Sequence, residues 1–428
     1  MKKSEYIEKV LEQIRCQKVR EPLKRELEAH IDDQAEAFVS VGLSEAEAEE
    51  EAVKTMGDPV ETGVGLDAVH RPRFPVSAAA VAMLLMIVGF AVRELILKDF
   101  YYYNEKSLYS AISIPLAAAA MLGGYFLDYT VFTKFPKISY GVFFCIMTSA
   151  VMLRSKSVIM AVGIMLLTPF MCGFVWSMRG KGFGGFVISC LVLVIPTTFV
   201  ALSIPCVSAA VLVGIFALII MTYAVKNNFF RASKISAYLF MYIPAVTAAA
   251  LLFVIRIYLP YKVYFQECTR YIFTIYTGNC GFPLDLNEIR LFGANWVHGS
   301  VNSAILDPPK YMIMAVTVRL GWAAGIAMSL FLLSLPALML IKSAKIKNAF
   351  GRMTSFSIGF VFLFLTVTYI LLNLGIPADV TAVQIPPFMT ASPLNAIVSG
   401  TLLGVFMSAY GKKDIFPERA EDDPRLAA

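Results

Sequence analysis

From Pro75 to the region of Tyr410 the chain repeats one pattern: long apolar stretches broken by short links rich in lysine and arginine. A hydrocarbon core about 30 Å thick is crossed by about 20 residues of helix. Stretches of that kind lie near 75–96, 108–128, 138–153, 157–178, 184–204, 206–225, 236–258, 311–341, 353–373 and 393–410. The chain is 58% hydrophobic and only 16% charged, against about 25% charged in soluble domains, so one water-soluble core cannot hide its apolar surface. The same figures exclude a disordered chain, a nucleic-acid-binding module and a secreted disulfide scaffold. The sequence therefore predicts an all-α polytopic membrane protein of about ten transmembrane helices, with a small soluble helical domain in front.

That front part differs sharply in charge. Up to Arg73 there are 11 basic against 17 acidic residues, whereas the rest of the chain holds 26 against 14. The boundary falls at His70-Arg71-Pro72-Arg73, and no continuous apolar run before it reads as a cleavable leader. Ile7, Val10, Leu11 and Ile14 predict a first helix from Ser4 to about Cys16, and Leu23, Leu27, Ile31 and Phe38 a second, opened by Glu21-Pro22. Gly42 stands where a left-handed residue ends a helix. Ser44-Glu45-Ala46-Glu47 has capping-box spacing for a third helix running to Gly57, and Asp58-Pro59 reads as N-cap and first residue of a fourth. Each helix shows one apolar stripe, so this part must pack on itself, on a partner or on the membrane.

Ten spans place both termini on one side, and the distribution of positive charge chooses the side. With the head cytoplasmic, the inner links and the tail hold thirteen basic residues: Lys134, Lys137, Arg179, Lys181, Lys226, Arg231, Lys234, Lys342, Lys345, Lys347, Arg352, Lys412 and Lys413. The short outer links hold four, Lys98, Lys106, Arg154 and Lys156. Both termini are expected in the cytoplasm, with 1–70 as the cytoplasmic head, 75–410 as the membrane body and 411–428 as a cytoplasmic tail. The longest connection, 259–310, then faces outward and is where chemistry on an external substrate is expected.

Of seven cysteines, Cys145, Cys172, Cys190 and Cys206 fall inside predicted spans as small apolar residues. Cys268 and Cys280 share the outer loop in an oxidising compartment, and a disulfide between them competes with two free thiols. No His/Cys cluster or CxxC pair suggests a metal, and no cofactor motif stands out; Gly180-Lys181-Gly182-Phe183-Gly184-Gly185 follows no strand and reads as a turn. His30 and Asp33, one turn apart, form either a titratable pair or a solvated helix face.

Two resemblances add to this reading. Arg25–Asp33, Gly42–Ala48 and Met56-Gly57-Asp58-Pro59 resemble the permease-prefix, or HAAS-type, domain found in front of bacterial membrane proteins, which implies a regulatory or sensing role. Leu291-Phe292-Gly293, Gly299-Ser300, the proline-rich run before Leu320-Gly321, and Ile385–Thr390 followed by a last span and Gly411–Ile415 resemble the SEDS family (FtsW/RodA/SpoVE-like proteins of cell division and cell shape). Pro205–Leu212 sits where that family has Pro-Asp-Leu-Gly-Thr-Ala. The resemblance implies a peptidoglycan glycosyltransferase that polymerises lipid II, the lipid-linked disaccharide-pentapeptide, outside the membrane beside a class B penicillin-binding protein. An outer-loop carboxylate acts there as the base.

The chain departs from that pattern where the chemistry should be. Counting back from Leu320-Gly321, Lys310 occupies the place of the family's aspartate; Cys206 and Ser208 replace the aspartate and glycine of the upstream motif, and Thr390-Ala391-Ser392-Pro393 replaces Ser-Tyr-Gly-Gly. A lysine, with an ordinary pKa of about 10.4, is no substitute for a carboxylate base unless heavily desolvated. Asp307, three residues earlier, is either a displaced base or the N-cap of a helix begun by Pro308. Asp307 and Lys310 are thus the candidate catalytic residues, and Arg319, His298, Gly299 and Ser300 the candidate substrate-binding ones. Arg319 in particular lies inside a predicted span, where a charge marks a site. The expected function is a SEDS-like protein of envelope or division processes without the family's usual catalysis, bound to lipid and to a polyprenyl-linked precursor. The alternatives are an active glycosyltransferase using Asp307 and, more weakly, a lipid-carrier flippase.

Overall fold

The computed structural model describes residues 1–70, 74–96, 107–127, 129–138, 140–142, 144–145, 158–203, 207–258, 291–292, 312–374, 388 and 393–412, and these are helices and turns without a strand. Four helices make up the acidic front: α1 (Lys3–Glu12), α2 (Gln17–Ser40), α3 (Glu45–Thr55) and α4 (Pro59–His70). They close on their own apolar clusters, one of Tyr6, Ile7, Val10, Leu27, Ile31, Ala52 and Val53, the other of Ile14, Val19 and Leu23.

The caps read from the sequence are in place. Ser44 and Glu47 form a capping box, and the Asp58 carboxylate accepts the Val60 and Glu61 N–H groups at 2.9 Å. Gly42 and Gly57 take φ of +104° and +80°, which glycine alone adopts freely. Two expectations are corrected. The second helix begins at Gln17, with Pro22 inside it, because the buried stripe starts at Val19 and the Arg20 guanidinium holds the Ile14 carbonyl through two bonds. The fourth helix is not apolar along one stripe alone: Val60, Val64 and Val69, spread around it, stand about half exposed. His30 lies on an exposed helix face.

Behind this front come α5 (Val76–Ile96), α6 (Ser107–Phe126), the short α7 (Val131–Lys134), α8 (Val158–Ser177), α9 (Gly182–Ser203), α10 (Val207–Lys226), α11 (Lys234–Tyr258), α12 (Met312–Leu320), α13 (Trp322–Ser343), α14 (Ala349–Asn373) and α15 (Pro393–Gly411). Among the described residues, Trp322–Ser343, Ala349–Leu371 and Pro393–Gly411 are long and apolar enough to cross a membrane, and five shorter apolar stretches accompany them. The chain is a membrane protein. The expected third span, 138–153, lies for the most part outside the described residues.

The tightest seam joins α6 to α15. A Cβ on Gly400 would fall 2.5 Å from the Ala117 carbonyl oxygen, one on Gly404 2.3 Å from that of Met121, and one on Gly124 2.4 Å from that of Thr401. Only glycine lets the two backbones meet this closely, the packing expected where lipid tails remove any hydrophobic drive between helices. Of the run read as a turn, Gly180 and Lys181 make the link and Gly182 to Gly185 open α9, with positive φ at Gly180 and Gly182.

Candidate functional site

The eighth apolar stretch, expected as one span over 311–341, is two helices. The break is Gly321, at φ +94° and ψ 169°, a conformation closed to residues with a Cβ. α12 and α13 lie so close around the break that a Cβ on Gly325 would meet the Thr317 hydroxyl. A broken helix leaves N–H and C=O groups without partners in their own helix, and other parts of the protein or water must satisfy them.

Here the partners come from other parts of the chain. The Ala323 N–H, in the first turn of α13, donates to the Leu291 carbonyl at 3.0 Å. At the far end of α12, the Met312 N–H donates to the Tyr369 hydroxyl at 3.3 Å and the Met314 N–H to Asn373 Oδ1 at 3.1 Å. The Asn373 amide in turn donates to the Tyr369 carbonyl at 2.9 Å, which fixes its orientation. Both sides of segment 293–311 are therefore secured: Leu291-Phe292 on the start of α13, and Met312 on the end of α14.

Arg319 sits half-buried in the last turn of α12, two residues before the break and one helix away from Leu291. Of the sequence-predicted site residues it is the one the structure describes. Asp307, Lys310, His298, Gly299, Ser300 and the pair Cys268 and Cys280 lie outside the described residues. Sequence reasoning missed Tyr369 and Asn373. Their signal was present: two residues able to hydrogen-bond, spaced i, i+4 at the C-terminal end of a largely apolar helix. Among the described residues no group of His, Cys, Asp and Glu is arranged to hold a metal ion.

No protein-family model matches the chain, and no curated protein sequence matches it. A solved chain does, from a structure of the structural coordination of polymerization and crosslinking by a peptidoglycan synthase complex. It superposes with a TM-score of 0.57 at 13% identity, over 79% of this chain and 98% of that chain. The fold is similar to that of a chain from a peptidoglycan synthase complex. At this identity the likeness concerns the fold, and it spans nearly the whole of the other chain.

Proposed function

We propose that this chain is a divergent SEDS-like membrane protein of the bacterial envelope that binds a polyprenyl-linked peptidoglycan precursor without polymerising it. In this reading it spans the membrane ten times, keeps both termini and the HAAS-like head of residues 1–70 in the cytoplasm, and works beside a class B penicillin-binding protein. The observation that carries the reading is the fold likeness, which extends over 98% of a chain from a peptidoglycan synthase complex.

The loss of catalysis is argued from residue chemistry. A base for the acceptor hydroxyl must hold a lone pair within hydrogen-bond reach at neutral pH. Lys310 stands where the family's aspartate is expected and is protonated there unless desolvated. The clamp of Tyr369 and Asn373 on α12, and the hold of α13 on Leu291, support a built frame around segment 293–311 and Arg319. A guanidinium beside a helix break suits the diphosphate of a lipid carrier, since Arg binds phosphate through paired N–H groups.

The test is a lipid II polymerisation assay on the purified full-length protein, run beside binding of a fluorescent lipid II. We expect no polymer and saturable binding that Arg319→Ala weakens about tenfold, the loss of one charge-assisted phosphate contact. Polymer made by the unmodified chain and abolished by Asp307→Ala would establish the glycosyltransferase instead.

A further inference from the structure

The opposite end of the bundle, where the helices carry their lysines and arginines, is finished by a tier of aromatic rings. Trp176 meets Phe229 and Phe350 at centroid distances of 5.3 and 5.4 Å, Phe350 stacks on Tyr129 at 5.9 Å, and Phe229 meets Tyr223 at 6.2 Å. The Arg179 guanidinium carbon lies 4.7 Å from the Trp176 ring centre and 5.6 Å from that of Phe229. Arg352 lies 5.8 Å from the neighbouring Tyr223 ring and donates its Nε–H to the Tyr223 hydroxyl at 2.7 Å. Two guanidiniums thus stand on adjoining rings of one tier.

We infer that Arg179 and Arg352 together bind the phosphate of an anionic phospholipid headgroup. Stacking uses the face of the Arg179 guanidinium and leaves its edge donors for a planar or tetrahedral anion, and Arg352, with its Nε–H given to Tyr223, keeps its terminal N–H groups. Neither arginine has a carboxylate partner among the described residues, so both charges are only partly compensated by ring faces. The scaffold is fixed in advance. The Gly180 N–H donates to the Phe229 carbonyl at 2.7 Å and ties the α8–α9 turn to the α10–α11 turn. Asn228 and Arg231 hold φ of +57° and +47° within that second turn, and Asn348 caps α14 by accepting the Gly351 N–H at 3.0 Å.

The ligand is a lipid rather than a soluble anion because of what lies next to Arg179. α9 and α11 begin beside it and present exposed apolar side chains, Phe183, Ile235, Leu239 and Phe240, with the Phe183 and Phe240 rings 6.2 Å apart. An acyl chain can follow that surface while its phosphate stays at the arginines. Basic pockets between membrane helices are suited to anionic headgroups. The leaflet follows from the topology proposed above, but the site does not depend on it or on any glycan chemistry.

The full-length protein, reconstituted in phosphatidylcholine vesicles with and without phosphatidylglycerol, tests this by native mass spectrometry of retained lipid. We expect preferential retention of phosphatidylglycerol, weakened about fivefold by Arg179→Gln or Arg352→Gln and about thirtyfold by both, at about 1 kcal/mol per basic residue. Lys137→Gln, an exposed charge at the same end, should retain lipid like the unmodified chain. An equal loss in Lys137→Gln would mean a diffuse positive surface and sink the site, as would displacement of the lipid by inorganic phosphate alone. If the double glutamine variant does not fold, the doubly lysine-substituted chain carries the test. A loss of about fivefold there supports the paired-fork site, and binding equal to the unmodified chain overturns it.

Discussion

The acidic front and the membrane bundle are both helical among the described residues, yet their tightest contacts are made in different ways. In the front, polar side chains reach from one element to another. Buried Asp67 on α4 accepts the Arg15 N–H at 3.0 Å and pairs with the Arg15 guanidinium at 3.2 Å, which locks the α1–α2 turn. The Tyr6 hydroxyl donates to the Met56 carbonyl at 3.1 Å, and Gly63 lets α4 press on the Val10 carbonyl. In the bundle many serine and threonine hydroxyls turn inward on their own helices: Ser189 to Gly185, Thr317 to Ile313, Ser329 to Gly325 and Thr401 to Ile397, each at 2.8 or 2.9 Å. Between bundle helices polar side chains cross at Tyr369, Asn373 and Arg352, but the tightest seam rests on missing side chains, at Gly400, Gly404 and Gly124. The difference teaches that helices with a strong apolar drive to associate use polar groups to choose geometry, whereas helices in lipid gain contact mainly by close approach.

The strongest way to break this comparison is to put a side chain into the seam. Gly404→Leu should cost about 3 kcal/mol or more in detergent unfolding, because its Cβ meets backbone atoms of Met121, Gly124 and Tyr125 that cannot move aside. Gly123→Ala, one residue away from the seam and facing open space, should be neutral or stabilising. Equal losses in the two would refute the close-approach account. Next in size, Asp67→Ala should destabilise the front by about 2 kcal/mol, leaving the Arg15 N–H unpaired. Hydrogen exchange should quicken in α1–α4 and stay unchanged in α13–α15; softening of both would mean the two regions unfold as one. Asn373→Ala should cost about 1 kcal/mol and speed exchange at Met314 on α12.

The smallest effect concerns pH. Hydrogen bonds from the Ser44 hydroxyl and backbone hold the Glu47 carboxyl below its ordinary value of 4.5. A carboxyl lowered in the folded state adds stability above its unfolded pKa, and that stability is lost as pH falls through the folded value. Acidification below about pH 4.5 should therefore fray the start of α3, seen as faster exchange there, and Ser44→Ala, which removes the hydroxyl but keeps the backbone bond, should reduce the pH dependence.

What could be read in advance divides along the same line. The caps at Ser44, Asp58, Gly42 and Gly57 were legible because capping is local chemistry at fixed spacing. The start of α2 was not, since Pro22 is a loud local signal and the stripe through Val19 is a tertiary one. Asp67 was the single charge in the Gly63–His70 run, and nothing in the sequence says that it faces the α1–α2 turn. Most helix positions in the body followed from apolar length, but the break at Gly321 did not, because hydropathy is blind to a positive φ. The clamp on α12 pairs residues more than fifty positions apart, beyond any periodicity.

That clamp has a mechanical meaning. α12 is a rod about 13 Å long at 1.5 Å per residue, pivoted at Gly321 and pinned at its other end by Tyr369 and Asn373. Pinned, it is a strut. Unpinned, it becomes a lever whose tip at Met312 travels about 2 Å for each 10° of rotation while Gly321 stays still. The position of Met312 relative to Gly321 is thus set by two hydrogen bonds to a different helix.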